Sequence, residues 1–181
     1  MIYVFLADGF EETEAIAPID MLRRAEKDVV TVGIQNDGVR SSHGIPVLCD
    51  ITEMQVELDE RLEMIVLPGG MPGTLNLEKN AVVQQTIDYC VQHDIPIGAI
   101  CAAPSILGKK GLLAGKNATC FPGFEKYLTG ASLSAEKVVT DGNITTAAGA
   151  GVAVEFGLRL VEVLCGADES RHIREAIQCA K

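Results

Sequence analysis

One cysteine stands where it could act as a nucleophile. Pro96–Pro104 reads Pro-Ile-Gly-Ala-Ile-Cys-Ala-Ala-Pro. The apolar run Ile95–Ile100 has the form of a buried parallel strand bounded by turn signals. Pro104 suits a first helical turn, and Gly108–Gly111 closes the segment behind it, so a short helix is expected there. Cys101 then occupies a sharp strand-to-helix turn. In α/β-hydrolases such an elbow presents the nucleophile, and the next backbone N–H helps hold an oxyanion. The small Ala102 and Ala103 permit close approach. A helix N-terminus behind the thiol would favour thiolate.

Thiol chemistry also needs a group that moves protons. Glu11, Glu12 and Glu14 follow the first strand, Ile2–Ala7, at the start of a helix expected over Phe10–Ala25. Glu11 and Glu12 fit the ordinary preference for carboxylates in a first helical turn. Glu14 stands out because the crevice beyond the C-terminal ends of parallel strands is where α/β sheets bind ligands. A second loop, Pro68–Gly73, follows the apolar strand Met64–Leu67 and carries Gly69 and Gly70. Paired glycines there can turn backbone N–H groups toward a ligand.

The elements that must position these groups alternate along the chain. The Phe10–Ala25 helix is expected to bury Ile16, Ile19, Leu22 and Phe10. Val29–Ile34 is a strand, Asn36-Asp37-Gly38 a turn, and Val39–Leu48 a small hairpin carrying His43. Asn80–His93 is a helix with Val83, Ile87, Cys90 and Val91 inward. Ala118–Cys120 reads as a strand end, which could bring Cys120 near Cys101. Glu136–Thr140 and Asn143–Thr146 flank Asp141-Gly142, a hairpin signal. Val152–Leu164 is an apolar helix that Gly166 can end, and Asp168 is expected to cap a last helix running to about Cys179. Alternating strands and helices predict an α/β fold: a mostly parallel, doubly wound sheet with helices on both faces and a nucleophile elbow. No linker or repeat divides the chain, so 1–181 is expected to be a single domain.

Composition narrows the function. The 181 residues carry a net charge of −10 and no basic run, which argues against nucleic acid as a stable partner. Apolar stretches are too short to span a bilayer, and the N-terminus enters a strand rather than a signal peptide, pointing to the cytoplasm. The six cysteines lack metal-ligand spacing, so free thiols and no metal are expected.

Taken together, Glu11-Glu12-Thr13-Glu14, Leu67-Pro68-Gly69-Gly70 and Ala99–Pro104 resemble the ThiJ/PfpI superfamily. Within it they are most similar to the subgroup of the Parkinsonism-associated deglycase and its bacterial relatives. The likeness covers nearly the whole chain, including Pro18–Ala25 and Gly149–Glu162. It implies a flavodoxin-like three-layer sandwich, commonly a homodimer, working without a cofactor. It also implies that Cys101 is the elbow nucleophile, that Glu14 contacts its sulfur, and that Gly70 and Ala102 supply the oxyanion N–H groups beside Gly69.

The activity implied is a glutathione-independent glyoxalase, or a deglycase acting on early glycation adducts, with a small aldehyde as substrate. The alternative is an oxidative-stress sensor or redox-regulated chaperone using the same cysteine. Three features depart from common members of the family. Phe121 stands where many have histidine, Ala147–Gly151 lacks an arginine, and His43 falls where some have arginine. His43 and Phe121 are candidate pocket residues, as is Cys120 from its place at a strand end. Ala102 replaces the histidine of the protease-like branch, which argues against peptidase activity.

Overall fold

The computed structural model describes residues 1–179. Its strands are β1 (Ile2–Leu6), β2 (Val29–Gly33), β3 (Gly38–Arg40), β4 (Pro46–Leu48), β5 (Ile51–Thr52), β6 (Met64–Leu67), β7 (Ile97–Ile100), β8 (Asn117–Ala118), β9 (Ser132–Leu133), β10 (Val138–Asp141) and β11 (Ile144–Ala147). Its helices are α1 (Glu12–Arg24), α2 (Gly73–Lys79), α3 (Ala81–Gln92), α4 (Pro104–Lys109), α5 (Ala153–Cys165) and α6 (Ala167–Ala176).

Seven strands form one sheet in the order β10-β11-β7-β6-β1-β2-β5. All neighbours are parallel except β10 and β11, which form the antiparallel edge hairpin. Successive residues of β1 point to opposite faces, as the pleat requires. Ile2, Val4 and Leu6 enter one core with Ile19, Leu22, Phe156, Leu160 and Ile173 from α1, α5 and α6. Tyr3, Phe5 and Ala7 enter the other with Val83, Ile87, Ile106 and Leu107 from α3 and α4. Burial on both faces explains why these strands read as continuous apolar runs. The fold is the flavodoxin-like α/β sandwich expected from the sequence. Among the described residues no helix is long and apolar enough to cross a membrane.

The chain leaves β1 toward β2 on one side and later returns to lay β6 and β7 on the other. The winding therefore reverses at β1, where a crevice opens at the strand C-termini.

Several local expectations are corrected. Phe10 is buried ahead of α1, bridging to Ser41, rather than lying within the helix. Ile16 and Val91 point outward; α1 buries Ala15 and Pro18 instead, and α3 uses Val83, Thr86, Ile87 and Cys90. Asp141 pairs with Ile144, so the hairpin turn is Gly142-Asn143, with Gly142 at φ +61°. Residues 117–118 pair only with β9 in a separate two-stranded sheet. The last helix is capped by Gly166, with Asp168 inside its first turn.

Candidate active site

Cys101 follows β7 at φ +65°, a left-handed conformation disfavoured for a residue with a Cβ. Its backbone is braced on both sides. The Cys101 N–H donates to the Ala147 carbonyl at 2.8 Å, and its carbonyl accepts from the Phe121 N–H at 2.8 Å. The strained turn thus hangs between β11 and the segment after β8.

Glu14 reaches the cysteine from α1. Glu11 is the N-cap of that helix, its carboxylate accepting from the Glu14 N–H at 2.8 Å. The Glu11 N–H donates to the Gly69 carbonyl at 2.9 Å, and the Gly69 N–H returns a bond to Glu14 Oε2 at 3.0 Å. This reciprocal pair clamps the start of α1 to the loop after β6. Glu14 is 1% exposed. Its carboxyl faces the Cys101 thiol and the Ala150 N–H.

The glycines are required by close approach. A β-carbon on Gly69 would lie 2.6 Å from Glu14 Oε2 and 2.7 Å from the Cys101 Cβ. One on Gly70, at φ +90°, would lie 2.3 Å from the Glu11 nitrogen. Freed of side chains, the loop turns the Gly70 N–H, with the Ala102 N–H, toward the Cys101 sulfur. Glu14, Gly69, Gly70 and Ala102 therefore all meet at Cys101.

Burial pushes the Glu14 carboxyl up to about 7, and the Glu11 charge adds to it. Burial also pushes the Cys101 thiol up to about 12, with the Glu14 charge next, while the Gly70 and Ala102 N–H groups pull it down. This corrects the expectation of a helix-favoured thiolate. Helix α4 has 6 residues, and burial beside a carboxylate outweighs its end. A protonated Glu14 removes the repelling charge and donates to the sulfur, so the state of one group sets the state of the other.

The other candidates lie around this centre. Phe121 is 47% exposed, and its ring rests against Gly149. Cys120 is buried and its thiol is held up to about 11, mainly by desolvation. All six cysteines are free thiols. His43 is exposed and pairs with Glu12, Nδ1 to Oε1 2.9 Å, rather than with Cys101. Glu11, Glu12 and His43 place ligand-type atoms within 4.8 Å of one another, through the helix cap and this ion pair. Sequence reasoning missed the Ala150 N–H and the Ala147 carbonyl. Backbone groups leave no residue-type signal, and only the small-residue run Ala147–Gly151 marked the place.

A family model described as the DJ-1/PfpI family matches residues 1–163. Protein dj-1beta of Drosophila melanogaster is 33% identical over 180 residues, 98% of this chain and 96% of that protein. Glutathione-independent glyoxalase DJR-1.2 of Caenorhabditis elegans is 30% identical over 173 residues, 94% of this chain and 91% of that protein. Protein DJ-1 homolog B of Arabidopsis thaliana is 35% identical over 177 residues, 97% of this chain; the match spans only 40% of that protein's length. The structure of oxidized Toxoplasma gondii DJ-1 superposes with a TM-score of 0.94 at 32% identity, covering 99% of this chain and 98% of that one.

Proposed function

The chain belongs to the DJ-1/PfpI family, and on that premise we propose that it is a glutathione-independent glyoxalase, acting on α-oxoaldehydes or on the early glycation adducts they form. The observation that carries this is the convergence of a buried carboxyl and two backbone N–H groups on the Cys101 sulfur. The glyoxalase DJR-1.2 lends the same direction.

The thiol proton has an acceptor in the Glu14 carboxylate. As that proton leaves, the sulfur attacks the aldehyde carbon, a C–S bond forms as the carbonyl π bond opens onto oxygen, and Glu14 passes the thiol proton to that oxygen, giving a hemithioacetal hydroxyl and leaving Glu14 ionised again. The Gly70 and Ala102 N–H groups stabilise the negative charge on the way. Ionised Glu14 then removes the C1 proton. The electron pair forms the C1–C2 double bond of an enediolate as the ketone opens onto its oxygen; Glu14 then returns the proton to C2 while the C1 hydroxyl proton passes to the C2 oxygen. The product is a 2-hydroxy thioester, which water cleaves to a 2-hydroxy acid and the free thiol. C1 is oxidised and C2 reduced within one molecule, so no outside oxidant is needed. A carboxyl near 7 can give and take protons at neutral pH.

The test is methylglyoxal consumption with lactate detection, without glutathione, on wild type, Cys101→Ala and Glu14→Gln. Turnover is expected in wild type and in neither variant. Turnover retained in Glu14→Gln overturns the proton-transfer role; none in wild type above free-thiol background overturns the activity. In that event peroxide oxidation of the partly exposed Cys101 to a sulfinate is the second reading. It is favoured by the same N–H donors and read by mass spectrometry of the Cys101 peptide. The homodimer implied by the resemblance is part of this proposal, supported by exposed Ile16, Ile45 and Leu48 and tested by sedimentation.

A further inference from the structure

A shallow, open hollow of about 370 Å³ is lined by Phe121, Pro122, Lys137, Gly149, Ala150 and Val152 among others. Three observations tie it to the reacting atoms. The Phe121 N–H holds the Cys101 carbonyl at 2.8 Å. The Ala150 N–H faces the Glu14 carboxyl. A β-carbon on Gly149 would stand 3.2 Å from the Phe121 ring and 3.8 Å from Glu14 Oε1, so the ring and the carboxyl flank one glycine. The cavity wall is therefore continuous with the groups that handle the proton.

That wall is apolar. The half-exposed Phe121 ring forms one side and Pro122, Ala150 and Val152 others. Among the described residues Lys137 is the one charged side chain lining it, and it is exposed, where solvent screens its charge. An open hollow of this extent leaves room beyond the methyl group of methylglyoxal for a ring laid against its wall. An aromatic wall prefers an aromatic partner stacked or edge-on.

Resting on the glyoxalase reading, we propose that Phe121 and the Gly149–Val152 turn form an acyl-group subsite that selects uncharged aryl-substituted α-oxoaldehydes over methylglyoxal. The aldehyde carbon meets the Cys101 sulfur while the ring lies against Phe121. Two substitutions act on the subsite in different ways. Phe121→Ala removes the wall. Gly151→Leu puts bulk at a lining position whose added β-carbon would meet nothing within 4 Å, so it narrows the cavity without a backbone clash.

The first measurement is the ratio of kcat/KM for phenylglyoxal to that for methylglyoxal, with 4-carboxyphenylglyoxal as a charged control. Comparing ratios between proteins cancels the intrinsic reactivity of the aldehydes. The ratio is expected to fall about tenfold in each variant, the usual size of discrimination by an apolar pocket. A ratio unchanged in both variants, or a wild-type preference for the carboxylated ring, overturns the proposal.

The second measurement does not depend on turnover. It follows alkylation of Cys101 by N-benzyliodoacetamide and by iodoacetamide, read on the Cys101 peptide. Wild type is expected to favour the benzyl reagent, and both variants to lose that preference. Equal preference in all three proteins overturns the subsite even if the protein turns nothing over. A benzyl preference without turnover keeps the subsite and overturns the glyoxalase reading. Circular dichroism and the urea midpoint confirm that both variants are folded.

Discussion

At the scale of single residues, Gly69 is where the site tolerates least. A methyl group there would press on Glu14 Oε2 at 2.6 Å, the Cys101 Cβ at 2.7 Å and the Ile100 carbonyl at 3.0 Å, and two of these are the reacting side chains themselves. Gly69→Ala is therefore expected to push the carboxyl off the sulfur and to lower kcat/KM for α-oxoaldehydes by about a hundredfold or more, the loss typical of a misplaced general acid–base. Gly38→Ala is the control, since nothing lies within 4 Å of its added carbon. Equal activity in the two variants would refute the claim that Gly69 is kept small for the pair. The sequence shows at this scale that Cys101, Glu14, Gly69, Gly70 and Ala102 are unusual residues in unusual places. It does not show their ionisation. The thiol's upward shift comes from burial and a neighbour 87 positions away in the chain, and neither is a local property.

At the scale of elements, α1 carries Glu14 and is held by α5. Gly157 makes that packing possible, because a β-carbon there would lie 2.8 Å from the Met21 Cγ and 2.9 Å from the Pro18 Cα. Pro18 is one helical turn beyond Glu14 on the same buried face. Gly157→Val is expected to cost about 1–3 kcal/mol through overpacking and to tilt the turn that bears Glu14. Asn80→Ala provides the contrast. It deletes an N-cap that accepts from Val82 and Val83 at 3.0 and 3.1 Å, at a cost of about 1 kcal/mol, without touching α1. Both variants should lower the urea midpoint, and only Gly157→Val should alter the alkylation rate of Cys101. A matched rate in both would separate α1 packing from the site. Strand and helix order was legible because burial on both sheet faces forces apolar runs. Ile16 and Val91 were misplaced because helical periodicity fixes a face but not its edges. Gly166 displaced Asp168 as cap because it takes φ +88° between two helices in direct succession.

At the scale of the whole molecule, the two-cored sandwich holds one carboxyl in a place where ionising it works against folding. A doubly wound parallel sheet with a crevice at its strand C-termini follows from alternating elements and was legible; the strand order that puts the crevice at β1, and the depth at which Glu14 ends up, 1% exposed, were not. The consequence is a dependence of global stability on pH. Glu14 rises from an ordinary 4.5 to about 7 in the native state. Below 4.5 both native and unfolded chains hold the proton, and the residue costs nothing. Between 4.5 and 7 the unfolded chain releases it first, so stability falls as pH rises. Above 7 the loss is complete, on the order of 3 kcal/mol at 1.36 kcal/mol per unit. Glu14→Gln keeps an acceptor for the Gly69 and Ala150 N–H groups but does not titrate. Wild type minus Glu14→Gln, measured by urea unfolding from pH 4.5 to about 8, should therefore decline by this amount. The decline should be centred between the two values and level off before thiols titrate. Cys101, pushed up from 9.0 to about 12, adds its own loss only where unfolded thiols ionise, above about pH 9. A flat difference across the lower window would mean that Glu14 stays ionised in the folded protein. The proton it is proposed to carry between C1 and C2 would then have to be held elsewhere.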